Sequence, residues 1–383
     1  MPLPLARVVT LLERLAPPAY AEEWDNVGLL LEPLGDRRAA GEPPGVARVL
    51  VTIDLTEAVL DEAAEREVEL VVAYHPPLFR PIKRLGTRTL AERAVQRSAR
   101  AGVAIYSPHT ALDAAPGGVN DWLADGAGAG ERAPLVDARV LEQKQALKLV
   151  TFVPPEHADR VASALARAGA GVIGEYTECS SRSSTTGTFL GGAETNPAVG
   201  ARGRLERVEE IRLEMVCPEG ALGAVARVMR DVHPYEEPAW DVYALAPRPG
   251  AGFGMGRGVT LDAPVTLETL VGRLKAHLGR SALRVAATEP QRAGAAVRSV
   301  AFCAGSGAGI FERAPGFDVY VTGELSHHAV LATVGAGASV VLAEHSSSER
   351  GFLPIYARKL AELAEGALEV AVSERDREPL ESW

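Results

Sequence analysis

The sequence predicts a two-lobed α/β core interrupted by a smaller α+β domain, and three observations point there. Apolar, β-branched runs alternate with helix-spaced segments in the first and last thirds of the chain. The middle third switches to a β-α-β-β-α-β order. Stretches rich in Pro and Gly flank that middle third. A length of 383 residues fits two or three domains better than one.

In the first lobe, residues 1–140, Ala47 to Asp54 reads as a strand, Glu57 to Val68 as a helix, and Leu70 to Ala73 as a second strand. Ala104 to Tyr106 supplies another strand, the turn-rich Ala114-Ala115-Pro116-Gly117-Gly118 follows, and Asn120 to Ala124 begins a helix. The inserted domain, residues 147–247, has the split ferredoxin-like order. Its strands are Lys148 to Val153, one in the middle of the domain, Ile211 to Val216 and Trp240 to Leu245, with helices at His157 to Ala168 and Leu222 to Val232. The Ser/Thr-rich Ser180 to Thr186 reads as an exposed hairpin, and Ala133-Pro134 and Pro247 to Gly252 read as linkers. In the last lobe, residues 252–383, a helix at Leu267 to Leu278 and strands at Val297 to Cys303, Val319 to Thr322 and Ser339 to Leu342 restore the α/β alternation.

Composition excludes several classes of function. A formal charge of −10 without a Lys/Arg cluster argues against an extended nucleic-acid contact. No run approaches the roughly 20 apolar residues of a membrane span, and the N-terminus lacks a secretory signal pattern, so a cytoplasmic protein is expected. The three cysteines, Cys179, Cys217 and Cys303, form no CxxC pair, so a metal here would be held by nitrogen and oxygen.

Ligands of open α/β sheets sit outside the carboxyl ends of the strands, and four strand ends carry the chemistry of this chain. Leu70 to Ala73 ends in Tyr74-His75-Pro76-Pro77, and the next strand leads into His109 and Asp113. Val319 to Thr322 leads into Glu324, His327 and His328, and Ser339 to Leu342 into His345 and Glu349. Five of the eight histidines lie in these places. Were the chain helical from His345 to Glu349, both side chains would share one face. Imidazole with carboxylate and no thiolate suits zinc, manganese or iron. A carboxylate can bridge two ions, so Asp113 and Glu349 are candidates to serve a pair of metals that polarise water and a substrate oxygen. Taken alone, each residue has a plainer reading: His75 as a loop residue, Asp113 as a turn initiator, His345 and Glu349 as a surface pair. Their coincidence at strand ends favours a site. Asp25-Asn26 reads as a turn cap, His109 as a partner that orients Asp113, and the Gly305 to Gly309 loop as a common glycine turn that could cradle phosphate.

The motifs Trp24-Asp25-Asn26-Val27-Gly28-Leu29, Tyr74-His75-Pro76-Pro77-Leu78-Phe79, His109-Thr110-Ala111-Leu112-Asp113, Pro116-Gly117-Gly118-Val119-Asn120-Asp121, Thr322-Gly323-Glu324 and Glu344-His345 to Glu349-Arg350 resemble the GTP cyclohydrolase 1 type 2 homologue family. Its members are also described as toroidal dinuclear-metal-centre or NGG-interacting-factor-three-like proteins. The resemblance implies a dinuclear site between the lobes, with His75, Asp113, His345 and Glu349 matching the family's ligands, and assembly into a homohexameric ring. It also implies that the insertion, with His233-Pro234-Tyr235-Glu236-Glu237-Pro238, is CutA/PII-like. Many bacterial members have two histidines where this chain has Tyr74-His75. A neutral phenol is a poor ligand, so one of the two divalent ions is expected to be weaker here.

The expected function is metal-dependent hydrolysis of a small nucleotide or related compound, GTP cyclohydrolase-like by family label. Glu324, His327, His109 and Tyr74 are candidate outer-shell groups. A non-catalytic metal-binding scaffold with a ligand-sensing insertion is the alternative.

Overall fold

Continuous apolar runs become parallel strands because both faces of such strands are covered. The structure, a computed structural model, describes residues 2–33, 45–140, 146–174, 176–246 and 248–380. The chain divides into two units, Met1–Ala138 with Pro249–Trp383, and Arg139–Arg248.

The first unit carries two main sheets. One has five strands in the order Glu369–Val372, Arg48–Thr52, Leu70–Ala73, Ala104–Ser107, Gly28–Leu31. The first four are parallel and the last is an antiparallel edge. The other has six, in the order Arg284–Ala286, Ser339–Leu342, Val319–Glu324, Val297–Ser306, Arg257–Val265, Gly130–Ala133. Its central three are parallel and its outer ones antiparallel. All four residues of Leu70–Ala73 and of Ser339–Leu342 are buried, as strands covered on both faces require.

Neither sheet is a continuous stretch of chain. Gly130–Ala133 joins the second sheet, and the last strand, Glu369–Val372, returns to pair in parallel with Arg48–Thr52 of the first. The cause is the apolar face of helix Leu353–Leu363: Leu353, Tyr356, Ala357 and Leu360 sink into the same core as Leu12, Tyr106 and Leu123. That core also holds Leu270, Phe302 and Val321 of the second sheet's layer, so the two sheets share one interior.

Helix starts follow side-chain chemistry. Thr56 and Thr266 accept from the backbone N–H groups of Val59 and Thr269, and Thr89 forms a reciprocal capping box with Glu92. Arg248–Met255, read from its Pro and Gly content as a linker, is instead a strand paired in a two-stranded ribbon with Val136–Val140; Pro247 lies outside the described residues. At such an edge Pro249 breaks no interior ladder.

The second unit has one antiparallel sheet in the order Ser181–Leu190, Leu205–Cys217, Leu147–Val153, Trp240–Ala244. Helices Ala158–Arg167 and Leu222–Val232 bury Val161, Leu165, Val225 and Met229 against Leu149, Leu213 and Met215. Since side chains alternate along a strand, Phe152, Glu210 and Arg212 lie on the opposite sheet face. No helix among the described residues is long and apolar enough to cross a membrane.

Candidate metal centre

Three side chains from two sheets converge at the carboxyl ends of their strands. His75 follows Leu70–Ala73, and His345 and Glu349 follow Ser339–Leu342; each offers one ligand atom, all within 4.8 Å of one another. The chain from Ser346 to Ser348 is a single 3-10 turn, which brings Glu349 back beneath His345. His75 Nε2 lies 3.4 Å from Glu349 Oε2, and His345 Nε2 lies 3.6 Å from Glu349 Oε1.

The other nitrogen of each ring is taken by a carboxylate. His75 Nδ1 is 3.0 Å from Asp54 Oδ1, and His345 Nδ1 is 3.1 Å from Glu324 Oε1. Each carboxylate fixes the tautomer that presents Nε2 to a metal and raises the basicity of the ring. A third ring repeats the arrangement, with His109 Nδ1 at 2.8 Å from Asp25 Oδ1. Asp25 also accepts from the Thr110 amide and hydroxyl. The turn cap expected at Asp25 is thus also an anchor for His109.

Glu349 is 2% exposed, and its Oε2 is buried without a hydrogen-bond donor among the described residues. A buried carboxylate oxygen facing imidazole nitrogens is costly unless a positive charge, on a protonated ring or on a bound metal ion, completes it. The donor set, two nitrogens and a carboxylate with no thiolate, fits a first-row divalent ion. Gly305 makes room for it: at φ +63, a Cβ here would lie 2.6 Å from Glu349 Oε1 and 3.2 Å from His345 Nε2. The glycine-rich turn therefore serves close approach to the ligands, while Gly305 N–H donates to Ser348 Oγ at 2.8 Å.

Asp113, on the short helix His109–Ala114, stands at the edge of the trio and lines the same cavity of about 600 Å³ with His75, His109, His345 and Glu349. One of its oxygens, Oδ1, accepts the Tyr74 hydroxyl in a short hydrogen bond. Tyr74 is buried, and burial with the nearby carboxylates of Asp113 and Glu349 keeps its phenol neutral, well above the ordinary range. It acts here as a donor to Asp113. His327 sits exposed at the start of helix His327–Gly335 and is not among the residues lining the cavity; Glu324 reaches the site through His345.

Charge balance at the site is set by burial and carboxylates together. Burial alone would lower His75, but its hydrogen bond to Asp54 and the negative charge of the Glu349 carboxylate outweigh it and raise the imidazole to about 10. Burial raises Asp113 to about 6, offsetting the pull of His109 and the Tyr74 hydrogen bond. Burial would raise Asp54, yet His75 holds it below its ordinary value.

Of the groups that hold the site, Asp376, Glu378 and Arg257 were not legible as motifs, while Asn120, Asp121 and Arg350 stood inside motifs without an assigned role. Asp376 accepts from the Ile53 amide at 2.7 Å and pairs with Arg350 at 2.6 Å, while Glu378 accepts from both Ser346 and Ser347 hydroxyls at 2.7 Å. The tail therefore ties the Asp54 end of one strand to the turn bearing His345 and Glu349. Asn120 spans the two sheets, donating to Asp113 O at 3.1 Å and accepting from the Ala304 amide at 2.8 Å. Arg257, buried, grips Asp121 through two nitrogens at 2.6 and 2.9 Å and also donates to the carbonyls of Ala114 and Ala115, directly after Asp113. The one available signal was positional: Asp54 ends a strand run neighbouring the His75 strand.

With this geometry in view, likeness to known proteins becomes decisive. The family model described as Duf34/NIF3 (NGG1p interacting factor 3) matches residues 4–379. The chain belongs to the Duf34/NIF3 family. It is 36% identical over 379 residues to the Bos taurus NIF3-like protein 1, covering 98% of this chain and 92% of that one. It is 37% identical over 380 residues to the Bacillus subtilis GTP cyclohydrolase 1 type 2 homolog, covering 97% of each. Among solved structures, a Bacillus cereus protein related to NIF3 aligns at TM-score 0.64 with 30% identity, covering 99% of this chain and 98% of that one. A Staphylococcus aureus protein of the same fold aligns at TM-score 0.75 with 23% identity, covering 100% and 99%. Membership in the Duf34/NIF3 family extends over both sheets and the inserted unit, since the match runs nearly end to end.

Proposed function

We propose that this Duf34/NIF3 protein is a dinuclear metal-dependent hydrolase acting on a small nucleotide or related compound. The observation that carries the reading is the orphaned, buried Glu349 Oε2 set against the Nε2 atoms of two carboxylate-anchored histidines. His75, His345 and Glu349 would hold one divalent ion, zinc, manganese or iron, and Asp113 with Glu349 would share a second. The Tyr74 hydroxyl already occupies Asp113 Oδ1, so the second ion is the weaker. Bound ions would polarise water and a substrate oxygen. His109, fixed by Asp25 through Nδ1, lines the cavity, its Nε2 takes no hydrogen bond among the described residues, and it would move a proton at that atom.

The ring-shaped homohexamer, the cytoplasmic location and the CutA/PII-like nature of the insertion complete the reading, and the antiparallel β-α-β-β-α-β sheet is consistent with the last. GTP is the first substrate to try, because the Bacillus subtilis relative is named for it. Metal content by elemental analysis, followed by a panel of nucleotides and phosphoesters with formate release scored for GTP, tests the proposal. Turnover absent from Glu349→Ala is the expected result. Stoichiometric metal with no turnover on any compound would point to a metal-binding scaffold whose inserted unit senses a ligand.

A further inference from the structure

The inserted unit contains a second cavity, of about 460 Å³, on the sheet face opposite its helices. Phe152, Phe189 and Tyr235 form apolar walls, and Glu210, Glu236 and Glu237 supply the charge. No Lys, Arg or His is among the described residues that line it. Glu210 is the informative member, because it is only 9% exposed. Its Oε1 accepts the Tyr235 hydroxyl at 2.8 Å, while Oε2 takes no hydrogen bond or ion pair among the described residues. Arg212, on the same sheet face, is engaged with Glu214 at 2.8 Å. Gly187 lies diagonally across the strand pair from Glu210, where a Cβ would come within 2.2 Å of Oε2, so any other residue would displace the carboxylate.

A carboxylate that opens into a cavity with no counter-charge among its described lining residues attracts a cation, and aromatic walls beside it favour one through ring faces and apolar contact. We propose that this cavity binds a small organic cation, a primary amine or guanidinium with an apolar or aromatic body, with the charged head on Glu210 and the body between Phe152, Phe189 and Tyr235. The site is separate from the metal centre in its residues and does not depend on hydrolysis.

Isothermal titration of the full chain with phenethylamine, 2-phenylethanol and phenylacetate tests it. The amine binds saturably with one site per chain, at least about ten-fold more tightly than the alcohol, because a charge-assisted hydrogen bond is worth more than a neutral one. Phenylacetate does not bind. Glu210→Gln weakens the amine by about ten-fold or more, and His345→Ala leaves it unchanged. Equal binding of amine and alcohol, full affinity in Glu210→Gln, or displacement of the amine by Mn²⁺ in the His345→Ala protein would each overturn the proposal. So would the absence of amine binding together with a change of mass in light scattering for Glu210→Gln, which would assign the cavity to a basic side chain of a second copy. If Glu210→Gln fails to fold, the amine-to-alcohol ratio of the natural protein still decides.

Discussion

The two sheets of the first unit present their halves of the proposed metal centre in different ways. On the second sheet, His345 and Glu349 share one turn, packed against Gly305 and fastened by Ser348, Arg350 and the Asp376–Glu378 tail. On the first sheet, His75 and Asp113, the residue proposed for the second ion, come from separate strand ends, and their side chains are held by Asp54 and Tyr74. The difference teaches that a rigid turn can position two ligands by backbone alone, whereas isolated ligands depend on the proton state and reach of a neighbour.

Steric invasion of the rigid half has the largest expected effect. In Gly305→Val the new side chain meets Glu349 and His345, and φ +63 is strained for a β-branched residue. Metal is lost, with affinity down more than about 100-fold, beyond what outer-shell changes produce, as read by chelator competition. Near-normal affinity would show that this turn is not rigid.

Next come the anchors. Asp54→Asn lowers metal affinity by about 10–100-fold, and Glu324→Gln lowers it less. His345 keeps the support of its turn, and the Glu324 side chain is 54% exposed against 42% for Asp54. Equal losses would erase the distinction between the halves.

Acidity tests the first sheet's half further. In the metal-free protein His75 stays protonated up to about pH 10, against an ordinary value of 6.5, while a metal needs the neutral ring. Affinity therefore climbs about ten-fold per pH unit between pH 7 and 9. It falls more steeply below about pH 6, where Asp113 also takes a proton. Calorimetry in buffers of different ionisation enthalpy should find one proton released at pH 8. The same raised value stabilises the metal-free fold fully below pH 6.5, and that contribution disappears as pH rises through about 10.

Tyr74→Phe has the smallest expected effect. It frees Asp113 Oδ1 and shifts only the weaker ion, by a few-fold, with the tighter ion unchanged. Two equally tight ions, unaltered by the substitution, would remove Tyr74 as the reason for asymmetry.

Much of the frame was legible because parallel strands are short, apolar and β-branched. Leu70 to Ala73 and Ser339 to Leu342 fall where their runs begin and end. Extent was harder to read in the inserted unit, where Leu205–Cys217 starts six residues before the apolar stretch Ile211 to Val216. Its first half, Leu205 to Glu210, sets two charged residues after each apolar one and is held as a strand by pairing with Ser181–Leu190. The linker expected at Pro247 to Gly252 is, from Arg248 on, a strand for a similar reason, since pairing outweighed local composition.

By itself the sequence determined which strand ends carry imidazoles and carboxylates, because side-chain chemistry and strand patterning are local. Tertiary structure alone decided which nitrogen of each ring faces inward, that Asp54 and Glu324 are the anchors, that Tyr74 spends its hydroxyl on Asp113, and that the chain's last strand completes the first sheet. Those outcomes depend on distances between residues far apart in the chain, which no local spacing encodes.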